Sequence, residues 1–91
     1  MLKLDLNKQA ADFITELQAK QARQIWNKLV ALMKEPFPND SSELHGYKGL
    51  YRNDIGEFRI VYNVRDDCLY VYVVGKRNDD EVYKRLKKLL G

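Results

Sequence analysis

Two β-rich stretches standing almost back to back set the fold of this chain. The first is Gly56-Glu57-Phe58-Arg59-Ile60-Val61-Tyr62, and the second is Leu69-Tyr70-Val71-Tyr72-Val73-Val74, which runs into Gly75-Lys76-Arg77. Between them Arg65-Asp66-Asp67 has the composition of a tight turn. The spacing predicts strands at about Glu57–Val64 and Cys68–Lys76, paired as a hairpin. Another strand is expected at about Gly49–Asn53, joined to them through Asp54-Ile55-Gly56. Side chains alternate along a strand. Phe58, Ile60, Tyr62 and Val64 therefore share the core face, and Arg59, Val61 and Asn63 share the other. A buried and unpaired charge is costly, so Arg59 is expected to line a wet concave surface.

The rest of the chain surrounds this hairpin. Leu2, Leu4 and Leu6 repeat every second residue, as in a half-buried first strand. Asn7 can cap a helix, in which Ala10, Phe13, Ile14 and Leu17 form one apolar stripe. A second helix is expected from about Lys20 to Lys34, with Ile25, Leu29 and Leu32 as its seam, widened by Trp26 and Met33. Pro36 and Pro38 end this helical hairpin, because proline has no amide donor and clashes with the preceding turn. Asn39-Asp40-Ser41-Ser42 reads as loop. A last helix is expected from Asn78 or Asp79 to Leu90, with the stripe Val82, Leu86, Leu89 and Leu90. Acidic residues open it and basic residues close it, matching the helix dipole. The expected order is β-α-α-β-β-β-α, an α+β fold. It would be one domain over residues 1–91, with the helices on one face of a small antiparallel sheet.

Composition narrows the function classes. No apolar run reaches the roughly 20 residues of a membrane span. The N-terminal stretch has no signal-peptide apolar region, so a cytoplasmic location is expected. Cys68 is the lone cysteine and His45 the lone histidine. That supports no disulfide, no zinc site and no catalytic triad. No glycine-rich phosphate loop is present, and no cofactor is implied. The acidic runs at Asp66-Asp67 and Asp79-Asp80-Glu81 are explained by turns and helix capping rather than by a metal. Residues 1–46 hold six basic and six acidic side chains, whereas residues 47–91 hold ten and seven. The excess positive charge in the second half favours a polyanion such as RNA.

Arg59 inside a strand, Arg77 at the exit of the next, and Tyr83 on the following helix are the candidate chemical groups. A guanidinium presents a fixed fork of donors that matches phosphate oxygens and stays charged at any working pH. The competing reading pairs each arginine with a carboxylate such as Asp54, Glu57 or Asp80. Tyr83 has a plain packing role as its alternative. Tyr47, Tyr51, Tyr62, Tyr70 and Tyr72 are further aromatics in the sheet region that could stack on bases.

The strings Leu44-His45-Gly46, Gly56-Glu57-Phe58-Arg59-Ile60-Val61-Tyr62 and Gly75-Lys76-Arg77 with Glu81-Val82-Tyr83 resemble the RelE family of bacterial toxins from toxin–antitoxin pairs. The resemblance spans nearly the whole chain and implies a microbial-ribonuclease-like fold. It implies an endoribonuclease that enters the ribosomal A site and cuts mRNA, by attack of a ribose 2′-hydroxyl on the adjacent phosphate. Arg59, Arg77 and Tyr83 match the family's catalytic positions. Lys48, Arg52 and Lys76 are the matching or nearby candidates for RNA contacts. The family often has another basic residue two places from the position of Arg52, where this chain has Leu50 and Asp54. A lysine there would be a candidate proton acceptor, and Lys48 is the available substitute. Asp54 would need to be repositioned to serve as a base. The resemblance implies a RelB-like antitoxin as partner, besides the ribosome and mRNA. The alternative is a ParE-like toxin that binds DNA gyrase and cuts nothing.

Overall fold

The computed structural model describes residues 1–78 and 80–91. The elements are β1 Lys3–Leu6, α1 Lys8–Thr15, α2 Ala19–Lys34, β2 Ser41–Glu43, β3 Tyr51–Ile55, β4 Phe58–Arg65, β5 Cys68–Lys76 and α3 Glu81–Leu90. They form an α+β fold around one five-stranded sheet of order β1-β5-β4-β3-β2. Asn7 caps α1 as its side chain predicts: its Oδ1 accepts the Ala10 amide at 2.9 Å. Strand β5 has the bounds expected from the sequence.

Three features differ from the expectation. The sheet is mixed rather than antiparallel, because β1 runs parallel to β5 with Leu4 opposite Leu69. Ser41–Glu43 is a short edge strand on β3 rather than loop, held by the pairs Ser41–Asn53 and Glu43–Tyr51. The helices also do not share one face. On one side α1 and α2 bring Ala10, Ile14, Ile25, Leu29 and Leu32 against Phe58, Ile60, Tyr62, Leu69, Val71 and Val74. On the other side α3 brings Val82 and Leu86 against Val61, Val73, Leu44 and Leu50. The near-continuous apolar run of β5 is what a strand covered on both faces requires. Helix α3 begins at Glu81, and the expected capping by Asp79 falls outside the described residues.

A bulge re-phases β5. Val61 faces Val73, but its neighbour Tyr62 faces Val71, so Tyr72 is the extra residue. Leu69, Val71 and Val74 point toward α1 and α2, while Tyr72 and Val73 both join the cluster under α3. The exposed edge of the bulge is satisfied by side chains that continue the ladder after β1 ends. Asn7 Nδ2 donates to the Tyr72 carbonyl. The Gln9 amide donates to Val74 O at 3.1 Å and accepts from Val74 N at 3.3 Å.

A candidate anion site on the α3 face

The β3–β4 turn is a two-residue connection in which Gly56 has φ +59°, a backbone state glycine reaches without strain. This turn puts Asp54 directly opposite Arg59 in the register. Both project to the α3 side, as does Arg52 two residues earlier on β3. Arg59 Nε donates to Asp54 Oδ1 at 2.7 Å and Arg59 Nη2 to Oδ2 at 3.2 Å, a forked pair. Arg52 Nη1 reaches the same Oδ2 at 3.4 Å. The carboxylate partner foreseen as a competing reading is therefore real for Arg59.

Arg77 arrives by the phase of β5. The Arg77 amide donates to the Glu57 carbonyl at 3.0 Å, which extends the β4–β5 ladder one pair past Lys76. After the bulge, Val73, Gly75 and Arg77 fall on the side of Val61, Arg59 and Glu57. Without the extra residue Arg77 would exit on the opposite face. Its charge acts on Asp54. Burial would push the Asp54 carboxyl up, but the hydrogen bond from Arg59 and the charges of Arg59, Arg52 and Arg77 outweigh it and hold the group below the usual carboxylate range. The Asp54 hydrogen bond in turn raises Arg59 against the opposing effect of burial, and the Tyr83 hydroxyl adds to the rise. Two guanidiniums thus hold one carboxylate by hydrogen bonds, Arg77 acts on it by charge from the same face, and Tyr83 acts on Arg59.

Gly75 makes room for this arrangement, a role not assigned to it when the string Gly75-Lys76-Arg77 was read from the sequence. It faces Arg59 across the ladder, and a β-carbon there would stand 3.1 Å from Val82 Cγ2. The missing side chain lets α3 settle on the sheet, and Tyr83 follows Val82 on that helix. A glycine inside a strand is the available signal of such a close approach. Asp54 was named from the sequence as a possible partner of the arginines and as a base that would need to be repositioned, not as the centre of the cluster.

Other candidates lie elsewhere. Lys76 is opposite Phe58 in the register, hence on the α1–α2 side and away from Arg59. Lys48 is exposed in the turn after Tyr47, and the Tyr47 ring lies 6.5 Å from that of Tyr83. Tyr62 is fully buried, with its hydroxyl 2.6 Å from Pro36 O and 2.7 Å from Ser41 Oγ, so it cannot stack on a base. Tyr51 packs on Phe37, and Tyr70 lies under Arg65. His45 sits exposed in the turn between β2 and β3. Among the described residues no group of three or more His, Cys, Asp or Glu side chains is placed to hold a metal, and no helix is long and apolar enough to cross a membrane.

The family model described as the ParE toxin of the type II toxin–antitoxin system parDE matches residues 4–81. This chain is a toxin of the RelE/ParE superfamily. The fold is similar to that of an arginine double mutant of the E. coli toxin RelE in the free state, with TM-score 0.80 and 26% identity, covering 99% of this chain and 98% of that one. It is also similar to a chain of the intact E. coli RelBE toxin–antitoxin complex, with TM-score 0.74 and 25% identity over 87% of this chain and 100% of that one. A chain of the archaeal RelE–RelB complex from Pyrococcus horikoshii shares the fold, with TM-score 0.73 and 24% identity over 85% and 96%. No significant match is found among curated proteins.

Proposed function

We propose that this toxin is a ribosome-dependent endoribonuclease that cuts mRNA in the A site and so stops translation in the cytoplasm. The observation that carries the reading is the gathering of Arg52, Arg59 and Arg77 on one rigid face beside Tyr83. Negative charge grows on the phosphate oxygens as the 2′-hydroxyl attacks. Donors carried on rigid strands stabilise that charge, each worth roughly 2–4 kcal/mol. Arg59, held by Asp54, takes the phosphate oxygens. Arg77 takes the oxygens nearer the leaving group. Tyr83 orients the reacting nucleotide or stacks on its base, with Tyr47 behind it. Arg52 and Lys48 contact the RNA backbone.

A cognate antitoxin is part of the proposal, because RelE proteins of similar fold are solved in complex with RelB. An acidic segment laid across the arginine face would cover the cations. The match to the ParE toxin description favours a second reading, in which the same face binds DNA gyrase. Primer extension on a ribosome-bound message separates the two. Cuts between codon bases are expected. An intact message together with blocked supercoiling would overturn the nuclease reading.

A further inference from the structure

We propose that Asp54 takes the proton from the attacking 2′-hydroxyl, and that an arriving phosphate arms it by drawing Arg59 away. The inference rests on the ribonuclease reading and assigns the role that reading leaves empty. Guanidiniums do not give up their protons at neutral pH, and a phenol is a poor acceptor there. Asp54 is the carboxylate at the centre of the cluster, and its side chain is 28% exposed, open to a substrate.

The geometry describes a group held in check. Asp54 accepts three donors: Arg59 Nε on Oδ1, and Arg59 Nη2 with Arg52 Nη1 on Oδ2. A carboxylate has about four lone-pair sites, so Oδ1 keeps one free. The charged groups facing Asp54 are Arg52 on its own strand, Arg59 on β4 and Arg77 beyond β5, with Tyr83 of α3 next to Arg59. Clamped in this way the carboxylate is a weak base. The Arg59 fork matches a phosphate as well as it matches a carboxylate, and one N–H cannot serve both fully. As Arg59 turns its donors to the phosphodiester, Asp54 loses its best partners and becomes more basic, at the moment a 2′-hydroxyl lies beside it.

The step balances without a further reagent. The 2′-hydroxyl proton passes to Asp54 Oδ1 as the 2′-oxygen bonds to phosphorus. The bond from phosphorus to the 5′-oxygen breaks, and that oxygen leaves with the electron pair and takes a proton from water. Asp54 then returns its proton to water. The products are a 2′,3′-cyclic phosphate and a 5′-hydroxyl.

The test is cleavage of a defined message on programmed ribosomes by wild type, Asp54→Asn and Asp54→Glu between about pH 5 and 8. General-base loss typically costs 10²–10⁴-fold, so Asp54→Asn should lower kcat by at least about 10²-fold. KM should hold or fall, because Arg59 is freed for phosphate, and Asp54→Glu should recover part of kcat. In wild type kcat, which reports the complex, should fall toward the acid end of this range, whereas kcat/KM, which reports the free toxin, should stay flat down to about pH 5 because Asp54 is held low there. A kcat as flat as kcat/KM, or Asp54→Asn cutting at the wild-type rate, would overturn the inference and leave the ribonuclease reading intact. An uncut message with wild type would instead remove the ribonuclease reading, and the base role with it. Carboxyl 13C NMR of the wild-type toxin measures the arming separately. An uncleavable 2′-deoxy oligonucleotide, added until the 31P shifts of its phosphates show that it is bound, should raise the titration midpoint of Asp54, and an unmoved midpoint in the bound toxin would overturn the arming.

Discussion

Under α1 and α2 the sheet is sealed, whereas under α3 it is only partly covered. On the sealed side Ile14, Ile25, Leu29 and Leu32 interlock with Phe58, Ile60, Tyr62, Leu69, Val71 and Val74. The Tyr62 hydroxyl there finds both Pro36 O and Ser41 Oγ. On the other side six buried residues, Leu44, Leu50, Val61, Val73, Val82 and Leu86, make a smaller cluster. Beyond it the face passes to Arg59, Arg52, Asp54 and Arg77. The difference teaches how a chain of 91 residues keeps charge on a central strand. One face supplies most of the hydrophobic stabilisation, which frees the end of the other to stay polar and partly wet. Arg59 is 14% exposed at its side chain, dry enough to strengthen its contacts with Asp54.

If that division is real, substitutions on the two faces should separate stability from activity. Leu29→Ala empties a fully buried site on the sealed face and should lower the unfolding free energy by about 2–5 kcal/mol. Denaturant melts would show it, and cleavage per folded molecule should be unchanged. A loss of specific activity matching the loss of stability would break the comparison. Arg77→Ala is the converse. Its side chain lies on an exposed residue, so the melting midpoint should barely move while A-site cleavage falls by about 10²–10³-fold. Tyr62→Phe removes a hydroxyl from the sealed face and should cost about 1 kcal/mol in the same melts, again with normal cleavage.

Acid gives the smallest and most local effect. Asp54 is held below its ordinary carboxyl value of 3.8 in the folded toxin. Its contribution to stability is therefore present above the unfolded value and is lost as pH falls through the folded one. Stability measured from pH 5 downward should decline less steeply in Asp54→Asn than in wild type. Equal slopes would mean that the arginines are not acting on Asp54 as the structure indicates.

Much of this architecture is legible in residue order, for identifiable reasons. Alternation and β-branched composition locate β5 to the residue, and a single asparagine starts α1. Arg59 is assigned to the right face because alternation in β4 is unbroken. The side taken by α3 is not legible, since Val82 and Leu86 would suit either face of a sheet. Nor is the parallel partner of β1, because pairing is a long-range choice that local pattern does not encode. Asp54 was one of three carboxylates that could pair with Arg59, and the choice stayed open while β3 was expected to end at Asn53. Two further residues of strand place it in register. The bulge at Tyr72 left one trace, the doubled Val73-Val74, where a strict alternation would show a change of character.

That single surplus residue gives the hairpin an unusual dependence on parity. Removing Tyr72 would leave composition, net charge and predicted strand content almost untouched. It would nevertheless turn Gly75 and Arg77 through half a revolution, withdrawing one guanidinium from its companions and setting the next helix down on the wrong side. Length along this segment is thus constrained more tightly than identity, and drift in this toxin should tolerate exchange of the aromatic at 72 far better than its loss.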